Sequence, residues 1–179
     1  MSLPFNQAES AQRAANVERS AGDLGRAETE LRRGYAILDA VGERNYLLGF
    51  AADLAIVLCQ MGRYEEAAGF VQVASEALPG DLVVQSLRRM AEAMIRSAEG
   101  RHAEAVALAT ESADLMPEVD LIIEGDLHLR LAEVLLDAGL HADAEAAATE
   151  ALGLCELKGN TVFAAEVHRF LATLHGRRE

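Results

Sequence analysis

A glycine followed five residues later by an alanine recurs along this 179-residue chain and constrains its fold more than any other feature. The four copies are Gly22 with Ala27, Gly62 with Ala67, Gly100 with Ala105, and Gly139 with Ala144. Glycine suits a tight turn between two helices because it adopts positive φ without a steric penalty, and a small alanine lets the two helices approach closely. The pattern therefore predicts a helical repeat whose copies each place a turn between two helices.

The composition favours helix along the whole chain. Alanine, leucine and glutamate dominate, while the chain has only 3 prolines and no tryptophan. We therefore expect an all-α fold with almost no strand, a right-handed α-α superhelix of about four helix pairs closed by a C-terminal capping helix. The repeat domain should span residues 7–175. Residues 1–6 should be an N-terminal tail or a cloning scar, which would make the chain a fragment of a larger protein, and residues 176–179 should be a C-terminal tail.

Local signals place several helix ends. The first helix should run from Gln7 to Ala21 with a weak, alanine-rich apolar stripe. Asn45 is a suitable N-cap for the third helix, and Asp81 for the fifth. Between them, the fourth helix should bury Leu78 and stop at Pro79, because proline cannot continue a helix. The helix after the last pair should open at residue 160 or 161 and cover the open face of the array.

Net charge, cysteines and hydropathy exclude several classes of protein. The formal net charge of -13 would repel a phosphate backbone, so nucleic-acid binding is not expected. Cys59 and Cys155 lie inside helical pattern, where free thiols behave as small buried hydrophobes, and a reducing cytoplasm fits them. The apolar run from Leu54 to Met61 is far shorter than the about 18 residues of a membrane span, so no membrane association is expected. The first ten residues lack a basic start and an apolar core, so no secretion signal is predicted.

The common catalytic signatures are missing from the sequence. The only lysine, Lys158, lies in ELKGN, which is not a phosphate-binding loop, and no H-E-x-x-H, C-x-x-C or G-x-S-x-G occurs. His168 and His175 stand seven residues apart on the final helix, but the local sequence lacks the further ligands that a metal needs. We therefore predict a protein that is not an enzyme, with no cofactor and no metal.

The second helix of each copy carries the marks of a known family. Gly62, Ala67, Val71, Ala74 and Pro79 resemble the second half of a tetratricopeptide repeat. The next copy presents Gly100, Ala105, Ala109, Ser112 and Pro117 at the same spacing. The turn glycines lie 40, 38 and 39 residues apart, against about 34 in the standard repeat, so the helices or linkers should be longer.

The longer period also suggests the kind of protein in which this repeat array occurs. ALGLCELKGN and LAEVLLDAGLHADAEAA resemble the repeat arrays at the C-terminal ends of large bacterial signalling proteins, such as regulators with an ATPase module or nucleotide cyclases. The resemblance implies a non-enzymatic protein-interaction module, either a regulatory or scaffolding segment of such a protein or a free-standing adaptor that binds a peptide in its concave groove. The partner would be a protein or peptide, another domain of the parent chain, or a second copy in a homodimer.

In this family the first helices line that groove with the residues that point away from their partner helices. The corresponding positions here are Ala52, Ile56, Cys59, Gln60, Arg89, Arg96, Leu129, Glu133, Leu136 and Asp137. An apolar strip flanked by arginines and carboxylates suits a peptide or a helix. The alternative, which the sequence supports equally, is that neighbouring helices or a second copy bury the apolar members.

Overall fold

The computed structural model describes residues 3–115 and 120–176, which form nine α-helices and no strand. The helices are α1 (Leu3–Ser20), α2 (Leu24–Val41), α3 (Arg44–Gln60), α4 (Tyr64–Ala74), α5 (Leu82–Ala98), α6 (His102–Leu115), α7 (Leu121–Asp137), α8 (His141–Lys158) and α9 (Thr161–Gly176). The prediction of an all-α chain is confirmed. The predicted stop at Pro117 lies outside the described residues.

The helices pack in chain order within two compact units, Met1–Ala91 and Glu92–Glu179. In the first unit α1 packs on α2, α2 on α3, and α3 on α4. In the second unit α6 packs on α7, α7 on α8, and α8 on α9. Residues 82–91 of α5 belong to the first unit and residues 92–98 to the second. Contact between successive helices is the packing expected of a helical repeat.

The structure confirms the roles of the repeated glycines and alanines. Gly22, Gly62, Gly100 and Gly139 all have positive φ, between 74° and 83°. The alanines that follow them, Ala27, Ala67, Ala105 and Ala144, are all 0% exposed. Each glycine thus makes a turn that other residues adopt at a cost, and each alanine packs where a larger side chain would keep the helices apart.

The first helix begins earlier than the sequence predicted. It starts at Leu3, so part of the predicted tail is helical. An aromatic contact explains the difference, because the ring of Phe5 packs edge to face on Tyr46 of α3 with the centroids 4.5 Å apart. Otherwise the helix buries only alanines, and Val17 is 68% exposed. The prediction of a weak apolar stripe therefore holds for the rest of α1.

Of the boundaries predicted for α3, α4 and α5, two are wrong and one is confirmed. Helix α3 begins at Arg44, so Asn45 lies inside it and is not its N-cap. Helix α4 ends at Ala74, before Pro79, and Leu78 is 70% exposed rather than buried. The Ser75 hydroxyl donates to the Gln72 carbonyl at 2.6 Å, a local bond of the kind that competes with helix continuation. Asp81 does cap α5, since its Oδ1 accepts from the Val84 amide at 3.2 Å.

Two adjacent alanines of α4 provide a test of the repeat packing. Ala67 is fully buried, whereas Ala68 beside it is exposed. Ala67→Trp should lower the free energy of unfolding by roughly 1 to 3 kcal/mol or more through overpacking, and Ala68→Trp should change it by less than about 0.5 kcal/mol. Urea denaturation followed by circular dichroism measures both. Equal stability of the two variants would refute the assignment of Ala67 to a close helix contact.

Candidate functional site

Four of the five apolar members of the predicted groove lie in the protein core, and the fifth, Leu136, is half-buried. Ala52 and Ile56 are 0% exposed and Cys59 is 2% exposed on α3, and Leu129 of α7 is 0% exposed. The expectation of an exposed apolar strip on these helices is therefore wrong. The structure agrees instead with the alternative, in which neighbouring helices of the same chain bury these apolar residues.

Helix α3 is buried because other helices of its unit contact it on several sides. The Phe50 ring packs directly against Gly34 of α2, where an added Cβ would lie 2.2 Å from Cε1 of the ring. On another side, the Cys59 thiol points to the carbonyl oxygen of Ala91 in α5, with Sγ 3.7 Å from that oxygen. Burial raises the pKa of the Cys59 thiol to about 12, so it stays protonated and unreactive. This helix is a core element.

The polar members of the predicted groove are on the surface or half-buried. Arg89 is half-buried and lies 3.2 Å from Oε1 of Gln85 on its own helix. Arg96 donates to Glu99 at 3.0 Å, also locally. Gln60 is half-buried. Arg89 belongs to the first unit and Arg96 to the second.

The most organised group of polar residues around the predicted positions lies on α7 and includes two of them, Glu133 and Asp137. Asp126, Arg130, Glu133 and Asp137 follow one another at intervals of four, three and four residues, which places them along one face of the helix. We call these four residues the α7 polar stripe. Exposure rises along it: the Asp126 and Arg130 side chains are 6% and 3% exposed, Glu133 is 39% exposed, and Asp137 is exposed. The stripe therefore leads from the core of the second unit to its surface.

Arg130 is the centre of the stripe and meets three carboxylates. Its Nη1 donates to both oxygens of Glu133, at 2.8 and 2.9 Å. Its Nη2 donates to Glu166 of α9 at 2.6 Å, and its Nε lies 3.4 Å from Asp126. A guanidinium presents its donors in a rigid planar fork, so this arrangement fixes the positions of the carboxylates as well as its own.

The charges of this cluster do not balance, because one guanidinium faces three carboxylates. Burial on its own lowers the pKa of Arg130, but the attraction of the three carboxylates more than reverses the effect, so the net pKa is raised and the guanidinium stays charged. Desolvation raises the pKa of the Glu133 carboxyl; Arg130 opposes the rise, and the charges of Asp126 and Glu166 add to it. The cluster thus keeps a surplus of negative charge that favours a further cation or a proton.

The surface end of the stripe is held by a second helix. The Ser97 hydroxyl of α5 donates to Oδ2 of Asp137 at 2.9 Å. Ser97 is 8% exposed, while Asp137 is exposed, so the bond anchors the carboxylate from below and leaves its remaining acceptor positions open to solvent. Side chains from α5, α7 and α9 therefore contribute to one acidic surface within the second unit.

The sequence reasoning found Glu133 and Asp137 but missed Asp126, Arg130 and Glu166. The sequence did contain a signal for Asp126 and Arg130, since charged residues at helical spacing interrupt the leucines of LIIEGDLHLRLAEVLLD. Glu166 could not be found this way, because its contact with Arg130 joins residues 36 positions apart and depends on how α9 packs.

Metal sites and membrane-spanning helices were also sought among the described residues. In residues 3–115 and 120–176, no cluster of three or more histidine, cysteine, aspartate or glutamate side chains has a geometry that could hold a metal ion. No helix within those ranges combines the length and the apolar character needed to cross a bilayer.

Comparison with known proteins adds no relative. No protein-family model matches this chain, and no curated protein matches it. The resemblance to tetratricopeptide repeats therefore stays a prediction from the residues quoted above.

Burial of Ile56 leads to a test that separates core from surface. Ile56→Glu should lower the free energy of unfolding by about 4 kcal/mol or more, because it buries an unpaired carboxylate. The control is Val17→Glu, at an exposed position of the same unit, which should stay within about 0.5 kcal/mol of the parent protein. Thermal unfolding measures both. If the Ile56 variant folded with unchanged stability, the core assignment of α3 would be wrong.

A second test concerns the balance of charge around Arg130. Arg130→Met should lower the free energy of unfolding by about 3 kcal/mol at pH 7, because it leaves neighbouring carboxylates without their buried counter-charge. Arg101→Met is the control: Arg101 is 45% exposed in its pair with Glu104, and the change should cost less than about 1 kcal/mol.

The loss of stability in the Arg130→Met variant should depend on pH in a defined direction. In the Arg130→Met variant the pKa of the Glu133 carboxyl, which burial already raises in the parent protein, should rise further above the unfolded value of about 4.3 for glutamate. The variant should therefore lose stability relative to the parent as pH rises above that value, and the deficit should shrink below it. A deficit independent of pH between 3 and 7, measured by urea denaturation, would show that lost packing and not charge is responsible.

Proposed function

We propose that this chain is a non-enzymatic protein-interaction module of the tetratricopeptide type that binds a basic segment of a partner protein. The observation that carries the proposal is the convergence of three carboxylates on the single guanidinium of Arg130. The surplus negative charge lies beside the surface, where Glu133 is 39% exposed.

The acidic surface has the chemistry to accept arginine or lysine side chains. Carboxylates form their strongest hydrogen bonds with cationic donors, and bidentate pairs with arginine add specificity. Glu133 and Asp137 are four residues apart on one face of α7, so two basic residues of a bound segment can each meet one carboxylate. Arg130 and Ser97 hold these carboxylates in place before a partner arrives, which reduces the entropy lost on binding.

The charge of the whole chain supports the same class of partner. A formal net charge of -13 attracts basic segments over long range and raises their association rate, an effect that salt weakens.

The setting that best fits the quoted repeat segments is a regulatory or scaffolding region of a larger bacterial signalling protein in the cytoplasm. The basic segment would then belong to another domain of the same chain. The alternative is a free-standing adaptor whose basic partner is a separate protein. A homodimer is a third arrangement, in which a second copy supplies the arginines.

A peptide-display selection against the chain tests the proposal. Selected peptides should be enriched in arginine and lysine, and Glu133→Gln combined with Asp137→Asn should weaken their binding about tenfold or more, because two charge-assisted contacts are lost. The control removes the same charges from exposed residues of α6 in the same unit, with Glu104→Gln and Asp114→Asn. Isothermal titration calorimetry with the best peptide measures both double variants.

Several results would count against the proposal. Peptides without basic residues, or equal losses in the two double variants, would show that the α7 polar stripe is not the binding surface. Sedimentation velocity separates the homodimer from the other arrangements, since self-association that only the Glu133 and Asp137 changes abolish would identify a second copy as the partner.

A further inference from the structure

A cavity of 260 Å³ opens among the first three helices, in the unit that does not contain the acidic surface. Phe5 of α1 and Tyr46 and Phe50 of α3 supply three aromatic rings to its wall. Glu9 and Gln12 of α1 supply the polar groups. Aromatic residues make up only 4% of the chain, so three of them around one cavity is a concentration that the overall composition does not explain.

Two of the rings meet at a right angle. Phe5 and Tyr46 lie with their centroids 4.5 Å apart and their planes at 82°, so their surfaces form two walls of a corner. The third ring is fixed from behind, because Phe50 packs against the bare Cα of Gly34. Tyr46 is 54% exposed, which places this wall at the mouth of the cavity, while Phe50 is 3% exposed and lies at its inner end.

The polar groups on the wall include one carboxylate, that of Glu9. The Glu9 carboxylate, whose side chain is 40% exposed, pairs with Arg13 at 2.6 Å, and the Arg13 side chain is 77% exposed and can move away into water. Gln12 donates through Nε2 to Asp53 at 3.0 Å, which brings a buried carboxylate close behind the wall. The faces of the three aromatic rings also carry negative electrostatic potential.

We propose that this cavity binds a small organic cation whose nitrogen carries alkyl groups, with a trimethylammonium group in the corner between Phe5 and Tyr46. Aromatic faces attract such cations within about 6 Å of the ring centroid, and cages of two or more rings are the usual way in which proteins recognise them. This site is independent of the basic segment proposed for α7.

The size of the cavity agrees with this ligand. Pockets for drug-sized molecules measure about 300 to 1,000 Å³. At 260 Å³ the cavity is below that range and suits a headgroup or one side chain.

Hydrogen-bonding capacity favours the alkylated nitrogen over a bare ammonium group. A primary ammonium needs acceptors for three N–H donors, and the three rings supply only one, the Tyr46 hydroxyl. The other acceptors on the wall are the carbonyl oxygen of Gln12, whose amide nitrogen donates to Asp53, and the Glu9 carboxylate, which accepts from Arg13. A bare ammonium group would therefore have to reach three separate side chains at once. A trimethylammonium group has no N–H to satisfy, so it loses less on leaving water.

The charge of the ligand can be tested without altering the protein. Choline and its neutral isostere 3,3-dimethylbutan-1-ol have nearly the same shape, so a comparison of their affinities isolates the effect of charge. In NMR titrations of the 15N-labelled protein, choline should shift amide signals of α1 and of the start of α3, with a dissociation constant in the millimolar range or below and about fivefold or more tighter than that of the isostere.

Two further ligands distinguish the sources of the cation. N-acetyl-trimethyllysine amide represents a methylated lysine of a partner protein, and N-acetyl-lysine amide represents an unmodified one. Tighter binding of the trimethyllysine compound than of choline would indicate a protein partner, and the reverse would indicate a free small molecule. If unmodified lysine bound as tightly as the methylated form, the cavity would not select an alkylated nitrogen and the proposal would fail.

Variants locate the binding on the cavity wall. Tyr46→Leu keeps an apolar side chain and removes one ring, so choline should bind about fivefold or more weakly; Tyr64→Leu, at an exposed tyrosine elsewhere in the unit, is its control. Glu9→Gln should also weaken binding, whereas Glu30→Gln, in a similar pair with Arg33, should not. Equal affinity of the isostere, no saturable binding up to about 50 mM choline, or indifference to Tyr46→Leu would each overturn the proposal.

Discussion

Each helix pair depends on the close approach that a buried alanine permits after a turn glycine. Ala67 and Ala105 are fully buried in different units and follow glycines of positive φ. A larger side chain there would push the helices apart and shift every contact above and below it, since protein interiors are packed at crystal-like density. The position of each alanine along its helix therefore determines which face of that helix, and of the helix packed on it, lies in the core.

The same argument explains why this part of the fold could be predicted from the sequence. The turn and the close contact are local, only five residues apart, and each requires a particular residue type. The ends of the helices were harder, because short-range competition decides them. Helix α4 ends at Ala74, well before Pro79, and the packing of Phe5 on Tyr46 accompanies the extension of α1 beyond its apolar stripe.

The open face of the repeat could not be predicted, for a physical reason. Periodicity shows that a face is apolar and does not show what covers it. From the sequence, Ile56 could equally contact a partner protein or a neighbouring helix. The long-range contacts of α3 show that other helices of the chain cover it. The carboxylates around Arg130 were hidden for a related reason, because Glu166 comes from another helix.

Helices α3 and α7 are both first helices of a pair, but they differ in the residues they bury. Helix α3 buries an apolar surface on several sides, and α7 buries Arg130 with carboxylates around it. A buried ion pair is often no more stable than apolar side chains of the same volume, because both charges lose their water. Stability alone therefore gives no reason for Arg130 to take the place of a leucine. A guanidinium does what leucine cannot, since its planar set of donors fixes the positions of the carboxylates around it.

The cavity among the first three helices follows from the weakness of α1. This helix buries only alanines, whereas α2 and α3 beside it bury leucines and Phe50, so space remains between α1 and the rings of Tyr46 and Phe50. A larger apolar residue at Ala8, which lines the cavity, would fill that space and add buried apolar area. It would also remove the room between the aromatic walls. The alanines that make α1 a poor contributor to the core are thus the residues that leave a site for a ligand.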